Sequence, residues 1–217
     1  MRTTVDPEYM FYDAAPTWSV KYLWPSVRCL IDSHEIRTRR AFELGCGNGA
    51  AANLLHERGF QVTAVDPSQT NINLAKGAYP QCSFVCAGGY DDLARRFGTF
   101  GVVLSLEVLQ HCAYPQRIAQ TLFDLVEPGG FAIVSVTYHG YLKNLLLAMT
   151  GRLDRHLHAL WETGPLKFFS KRTLRTLLEE AGFRRVEFQL VGRVPPLAKS
   201  MVAIAYKELP TGNTVTS

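Results

Sequence analysis

The chain has 217 residues, a formal net charge of +4, 47% hydrophobic and 19% charged residues, which suits one soluble α/β domain with its own core. Its Lys and Arg are scattered, densest at Arg37, Arg39 and Arg40; this excludes a nucleic-acid stripe and reads as solvated faces and counter-charge for a small anionic ligand.

Apolar residues at three- and four-residue spacing (Val20, Leu23, Trp24, Val27, Leu30) predict a helix within Pro16–Ser33, with Pro25 kinking it or starting a second one. Arg40–Leu44 reads as a strand, Ala50–Arg58 as a helix stopped by Gly59, and Gln61–Val65 as a strand ending at Asp66-Pro67. A capped helix over Ser68–Gly77, a strand over Cys82–Cys86 and a short helix or turn over Asp91–Arg96 follow. Phe100–Ser105 is a buried strand, Glu107–Cys112 a helical turn and Pro115–Val126 a helix with Pro near its start. After a turn at Pro128-Gly129-Gly130 come a fifth strand, Phe131–Thr137, and a stretch to 169 that is irregular by pattern. Ser170–Ala181 is a helix stopped by Gly182, and strands Phe183–Val191 and Ser200–Tyr206 close the chain. Strand–helix alternation predicts a Rossmann-like, seven-stranded, mostly parallel sheet with helices on both faces and a C-terminal antiparallel hairpin, forming a single domain. The N-terminal residues 1–35 would form a helical lid, 138–169 a substrate cap and 208–217 a flexible tail.

The five cysteines read as buried free thiols, with Cys82 and Cys86 on one strand face, as in a reducing cytosol. The N-terminus lacks an apolar signal core and no run approaches the roughly 20 residues of a spanning helix, so a cytoplasmic location is expected.

The loop from Gly45 to Ala50, GCGNGA, fits the loose dinucleotide fingerprint. Glu43, at the strand end just before it, would repel a pyrophosphate and welcome an ammonium group. Asp66 can accept hydrogen bonds from two ribose hydroxyls. The closing hairpin replaces a second mononucleotide half.

With ELGCGNG (Glu43–Gly49), VDPS (Val65–Ser68), FGVVLSLEVLQH (Phe100–His111) and LVEPGGFAIVS (Leu125–Ser135), the chain resembles the class I S-adenosylmethionine-dependent methyltransferases over residues 12–207. It looks most like small-molecule O-methyltransferases of the ubiquinone-biosynthesis type, whose fourth-strand segment also reads E-x-L-E/Q-H. The resemblance implies S-adenosyl-L-methionine as cofactor. Gly45, Cys46, Gly47 and Gly49 would seat its methionine part, with Glu43 holding the amino group, and Asp66 with Pro67 taking the ribose. Gly89 and Tyr90 would meet the adenine. Many relatives carry Asp then Ala at Gly89-Tyr90, so here Asp91 or a backbone group is left for the adenine amino contact. Leu106 would pack on the cofactor, and Tyr12 of the lid would reach it.

A hydroxyl acceptor needs a positioned base. Helical spacing would put Glu107 and His111 on one face at the active-site mouth, His111 taking the proton and Glu107 orienting the acceptor; the bland alternative is a His111 that caps backbone and a solvated Glu107. His139 competes as base. No third ligand accompanies the Glu107–His111 pair, so no metal is expected, and His156 and His158 read as surface. Candidate acceptor walls are Trp18, Tyr138, Tyr141 and Trp161, with Phe168 and the N-terminal aromatics Tyr9, Phe11 and Tyr22 nearby. The stripe Leu142, Leu145, Leu146 and Met149 reads as a cap helix packed on the core, a lid over a bulky acceptor, or an interfacial helix touching membrane. The expected activity is methyl transfer to a small aromatic or heterocyclic hydroxyl; the alternatives are an N- or C-methyltransferase, or a membrane-peripheral quinol O-methyltransferase. A non-catalytic partner protein and a dinucleotide oxidoreductase rank below these. The expected partner is the small-molecule substrate, with no nucleic acid, possible weak membrane-surface contact, and a monomer or homodimer.

Overall fold

The computed structural model describes residues 10–157, 164–195 and 197–209. Short runs rich in Val, Phe, Leu and Ile form strands β1 (Arg40–Leu44), β2 (Gln61–Asp66), β3 (Ser83–Cys86), β4 (Phe100–Leu106), β5 (Val126–Thr137), β6 (Arg185–Val191) and β7 (Ser200–Tyr206). They build one sheet in the order β3-β2-β1-β4-β5-β7-β6. β1 to β5 pair in parallel, while β7 runs antiparallel to both β5 and β6. The Rossmann-like arrangement expected from the alternating pattern is the one observed.

Helices cover both faces. α1 (Trp18–Asp32), α2 (Ala50–His56) and α3 (Gln69–Ala78) lie on one side, while α4 (Leu93–Phe97), α5 (Pro115–Leu125) and α8 (Lys171–Glu180) lie on the other. α6 (Tyr141–Met149) and α7 (Leu153–Leu157) follow β5. Strand side chains alternate accordingly: Ala41, Val102, Leu104 and Ile133 join the α1 side, and Phe42, Val103, Val134 and Ala203 the α5 side. The chain runs outward from β1 to β3, then returns to add β4 beside β1. The two crossovers diverge at β1 and β4, which opens a crevice at their carboxyl ends, the place where open α/β sheets bind ligands.

Four local expectations are revised. Pro25 sits inside one continuous α1, whose buried face (Leu23, Val27, Leu30, Ile31) outweighs the lost backbone bond. Pro128-Gly129-Gly130 is absorbed into a long β5, with a register shift against β4 between Phe100 and Val102, and Gly129 N donates to Lys207 O. The irregular stretch after 137 contains α6 and α7. Cys82 is buried and Cys86 exposed, because Cys82 precedes β3 and does not belong to it; all five cysteines are free, but Cys29 and Cys86 face solvent. No helix among the described residues is long and apolar enough to cross a membrane.

Candidate active site

β1 feeds directly into the glycine loop, which then starts α2. Gly45 and Gly47 have φ of 75° and 50°, the left-handed region that favours glycine. A Cβ on Gly45 would strike Val108, and one on Gly47 would lie 2.5 Å from the ring of Phe11. Gly45 N and Cys46 N both donate to Val65 O, at 2.8 and 2.9 Å, which ties the loop to β2. Burial raises the Cys46 thiol pKa, aided by Glu43 and Asp66, so it serves packing and not nucleophilic chemistry.

Glu43 is 2% exposed, and its Oε2 has no hydrogen-bond partner. Burial pushes its carboxyl up to about 8, with the Asp66 charge adding to the effect. Asp66 is buried at the end of β2; its Oδ2 accepts from Gly47 N (2.9 Å), and its Oδ1 from Ser68 N (3.0 Å) and Asn71 Nδ2 (3.2 Å). The exposed Pro67 beside it accepts the Cys86 thiol through its carbonyl at 3.3 Å.

Beyond β3, a Cβ on Gly89 would lie 2.6 Å from Ile118 Cδ1, so a side chain there requires the Ile118 side chain of α5 to shift. Asp91 Oδ2 instead accepts from Gly88 N at 2.8 Å and closes the turn. Tyr90 is held at the start of α5, its hydroxyl accepting from Tyr114 N and Arg117 lying over its ring. The segment before α1 crosses the loop, but Tyr12 points outward at 94% exposure; Phe11, its neighbour, is the aromatic that meets Gly47. Sequence spacing carried no signal to choose between them.

At the acceptor end Leu106 finishes β4, and Glu107 has φ 58°, the one positive φ outside glycine among the described residues. Glu107 N donates to Ser135 O and Oγ, both at 3.0 Å. Its Oε1 accepts from Ser135 Oγ (2.9 Å), and its Oε2 from Gln110 Nε2 (2.9 Å) and Thr137 Oγ1 (3.2 Å). Ser200 also supports the carboxylate and is itself bonded to the Tyr22 hydroxyl at 2.8 Å. Burial raises the Glu107 pKa and these donors oppose the rise; burial pushes the Tyr22 phenol up to about 12, with Glu107 adding to it. Glu107 is therefore neither solvated nor in a helical turn with His111. The helical turn is a short 3-10 turn, Leu109–His111, and a left-handed residue before it removes the i, i+4 relation. His111 is partly exposed at the end of that turn, its N–H donating to Val108 O. Gln110 is a residue that pattern reading passed over. It is buried, binds Glu107 through Nε2, keeps Oε1 unpartnered, and accepts Leu166 N and Lys167 N through its carbonyl.

His139 is buried against Phe168 and His156, with ring centroids 4.7 and 5.2 Å away, and its Nε2 has no hydrogen-bond partner. Burial, then His156, lowers its pKa to about 4, so it is a neutral imidazole at neutral pH. Tyr138 is partly buried and bridges to Phe169; Tyr141 is exposed. Trp18 is also exposed and carries Lys199 Nζ 3.3 Å above its ring. Trp161, Tyr9 and His158 lie outside the described residues. The cap helix is not packed on the core by its apolar stripe: Leu142, Leu145, Leu146 and Met149 are all exposed, Met149 to 75%. The inward residue of α6 is Lys143, whose Nζ donates to Tyr138 O (2.8 Å) and Ala198 O (3.1 Å). Those two carbonyls need a donor, and a lysine at that helix position supplies it, which turns the leucines outward. Among the described residues no group of three or more His, Cys, Asp or Glu could hold a metal ion.

A family model described as a methyltransferase domain matches residues 28–187. The chain belongs to the class I S-adenosylmethionine-dependent methyltransferases. It is similar to a ubiquinone biosynthesis O-methyltransferase of Caulobacter sp. (strain K31), 37% identical over 116 residues, covering 52% of this chain and 46% of that protein. A protein of the same name from Burkholderia pseudomallei (strain 1710b) is 28% identical over 179 residues, covering 78% and 75%. The methyltransferase chain spans about half the length of the first two relatives. Among solved structures it shares its fold with an O-methyltransferase family protein from Burkholderia thailandensis (TM-score 0.66, 14% identity, 87% and 57% covered). It shares it also with magnesium protoporphyrin IX methyltransferase from Synechocystis PCC 6803 with bound SAM (TM-score 0.62, 16% identity, 86% and 78% covered).

The residues of this methyltransferase fit the family's cofactor, S-adenosylmethionine. The unpartnered, buried Glu43 Oε2 suits an ammonium group, which would also favour the carboxylate over its protonated form. Bare glycine faces allow close approach beside it, and the Asp66 carboxylate stands one strand away.

Proposed function

We propose that this methyltransferase acts on a hydroxyl oxygen of a small aromatic or heterocyclic acceptor, with His111 as general base. The observation that carries the reading is the fixed cluster at the end of β4, a Glu107 carboxylate held by Ser135, Thr137 and Gln110 beside a buried Gln110 Oε1 with no partner. An oxygen without a donor, next to a carboxylate with lone pairs to spare, suits a substrate that presents an O–H group. When bound, S-adenosylmethionine supplies an electrophilic methyl group on a sulfonium. Glu43, Gly45, Gly47 and Asp66 hold and orient; Glu107, itself held by Ser135 and Thr137, fixes the acceptor hydroxyl; His111 takes its proton at the partly exposed mouth. His139, already neutral and just beyond the end of β5, is the second candidate proton acceptor. The ubiquinone-biosynthesis names of the relatives support an oxygen acceptor.

One observation favours a lipophilic, membrane-peripheral version. The outward apolar face of α6 borders the acceptor end and gives a lipid-tailed quinol a surface to approach along. The free cysteines support a reducing, cytoplasmic compartment.

Calorimetry with S-adenosylhomocysteine and with NAD tests the cofactor; binding of NAD alone overturns the proposal. A phenol, quinol and heterocycle panel with labelled methyl donor then locates the methylated atom. His111→Ala should lose the acid limb of the pH–rate profile, and an unchanged rate at every pH would remove His111 as base.

A further inference from the structure

We propose that Asn71 couples closure of the N-terminal segment, residues 10–15, to cofactor binding. The inference rests on the reading that Asp66 receives the cofactor ribose. Asn71 is 1% exposed in the first turn of α3, where its backbone N caps onto Ser68 Oγ. Its amide is spent at both ends. Oδ1 accepts from Phe11 N at 3.1 Å, and Nδ2 donates to Asp66 Oδ1 at 3.2 Å. The orientation is set by chemistry, since a backbone N–H can only donate and a carboxylate accepts.

The contacts close into a ring. Asp66 Oδ2 accepts from Gly47 N at 2.9 Å, and the bare face of Gly47 is covered by the Phe11 ring. Four parts of the fold (segment, α3, β2 end and glycine loop) thus meet through Phe11, Asn71, Asp66 and Gly47. Two more ties hold the segment to the same elements: Asn48 Nδ2 donates to Asp13 O and Ala15 O, and Tyr79 OH donates to Ala14 O at 2.5 Å. Asn48 lies in the glycine loop and Tyr79 caps α3. With the segment down, Asn71 fixes the Asp66 rotamer from one side and Gly47 N from the other. A ligand hydroxyl on Asp66 therefore meets a preorganised acceptor, and its binding strengthens the same set that holds the segment. Closed segment and bound cofactor stabilise each other, and Asn71 is the positioning residue between them.

Hydrogen exchange of residues 10–15 in the full chain, with and without S-adenosylhomocysteine, reads the coupling. Exchange should slow when it binds. Asn71→Ala should weaken S-adenosylhomocysteine by about tenfold, the scale of a lost buried hydrogen bond, speed its dissociation and abolish the slowing. Asn71→Asp keeps an acceptor for Phe11 N but sets a second carboxylate against Asp66, so it should bind less tightly than Asn71→Ala. Phe11→Ala, outside the core, gives the same readout should the Asn71 variants not fold: faster dissociation at unchanged melting temperature. Wild-type exchange unaffected by a bound ligand, or an Asn71→Ala affinity within about twofold of wild type, would overturn the coupling. Failure of the wild type to bind S-adenosylhomocysteine at all would instead overturn the cofactor reading on which it stands.

Discussion

Replacing Glu43 with Gln tests the electrostatics of the proposed cofactor seat before any acceptor is known. The carboxyl titrates near 4.5 when unfolded and near 8 in the fold, because burial and Asp66 disfavour its charge. Between those values the native state holds a proton that the unfolded chain has released, so stability must fall as pH rises through the window. Other groups complicate its edges. His139, lowered to about 4 from 6.5, makes stability rise with pH below 6.5, and Lys143, lowered to about 8 from 10.5, makes it rise above 8. Both are common to wild type and Glu43→Gln and drop out of the difference between them, which between pH 6.5 and 7.5 amounts to at most about 1.4 kcal/mol for the one-unit step. In a domain of this size that is roughly 3–6 °C in melting temperature. Thermal melts of wild type and Glu43→Gln at five pH values should show the wild type losing that amount relative to the variant. S-adenosylhomocysteine should cancel the loss, since its ammonium group favours the charged carboxylate. Parallel pH profiles for the two proteins would refute the reasoning, for they would mean that Glu43 is already ionised in the free fold.

Gly89→Asp should destabilise by roughly 1–3 kcal/mol through overpacking against Ile118, and adding Ile118→Ala should recover much of it in denaturant melts. Lys143→Met leaves Tyr138 O and Ala198 O without their donor, so it should cost roughly 1–3 kcal/mol and make the 141–157 region the first site of proteolytic cutting. Glu107→Gln turns one acceptor oxygen into a donor facing Ser135 or Thr137; methyl transfer should fall by about tenfold or more with S-adenosylhomocysteine affinity unchanged, measured by labelled-methyl assay and calorimetry.

The backbone arrangement around the glycine loop was legible in the sequence. Glu43, the glycine loop and Asp66 lie within a single strand–helix–strand unit, where local backbone rules place them at adjacent strand ends. The acceptor half was less legible. The spacing of Glu107 and His111 reads as one helical face, yet a single left-handed residue breaks that relation, and pattern reading has no means of seeing a lone φ. Asn71, Gln110 and Phe11 gain their meaning from partners far away in sequence: Phe11 N for Asn71, Leu166 N and Lys167 N for Gln110, and Gly47 for Phe11.

The sequence by itself determined the sheet, the crevice between β1 and β4, and the conformation of the glycine loop, because period-2 and period-3.6 patterns and glycine geometry act over a few residues. Only the tertiary structure decided which way α6 faces and what Glu107 binds. The first depends on the Tyr138 and Ala198 carbonyls just outside β5 and β7, the second on the Ser135 and Thr137 hydroxyls of β5; burial makes an unmet partner costly enough to overrule the local pattern.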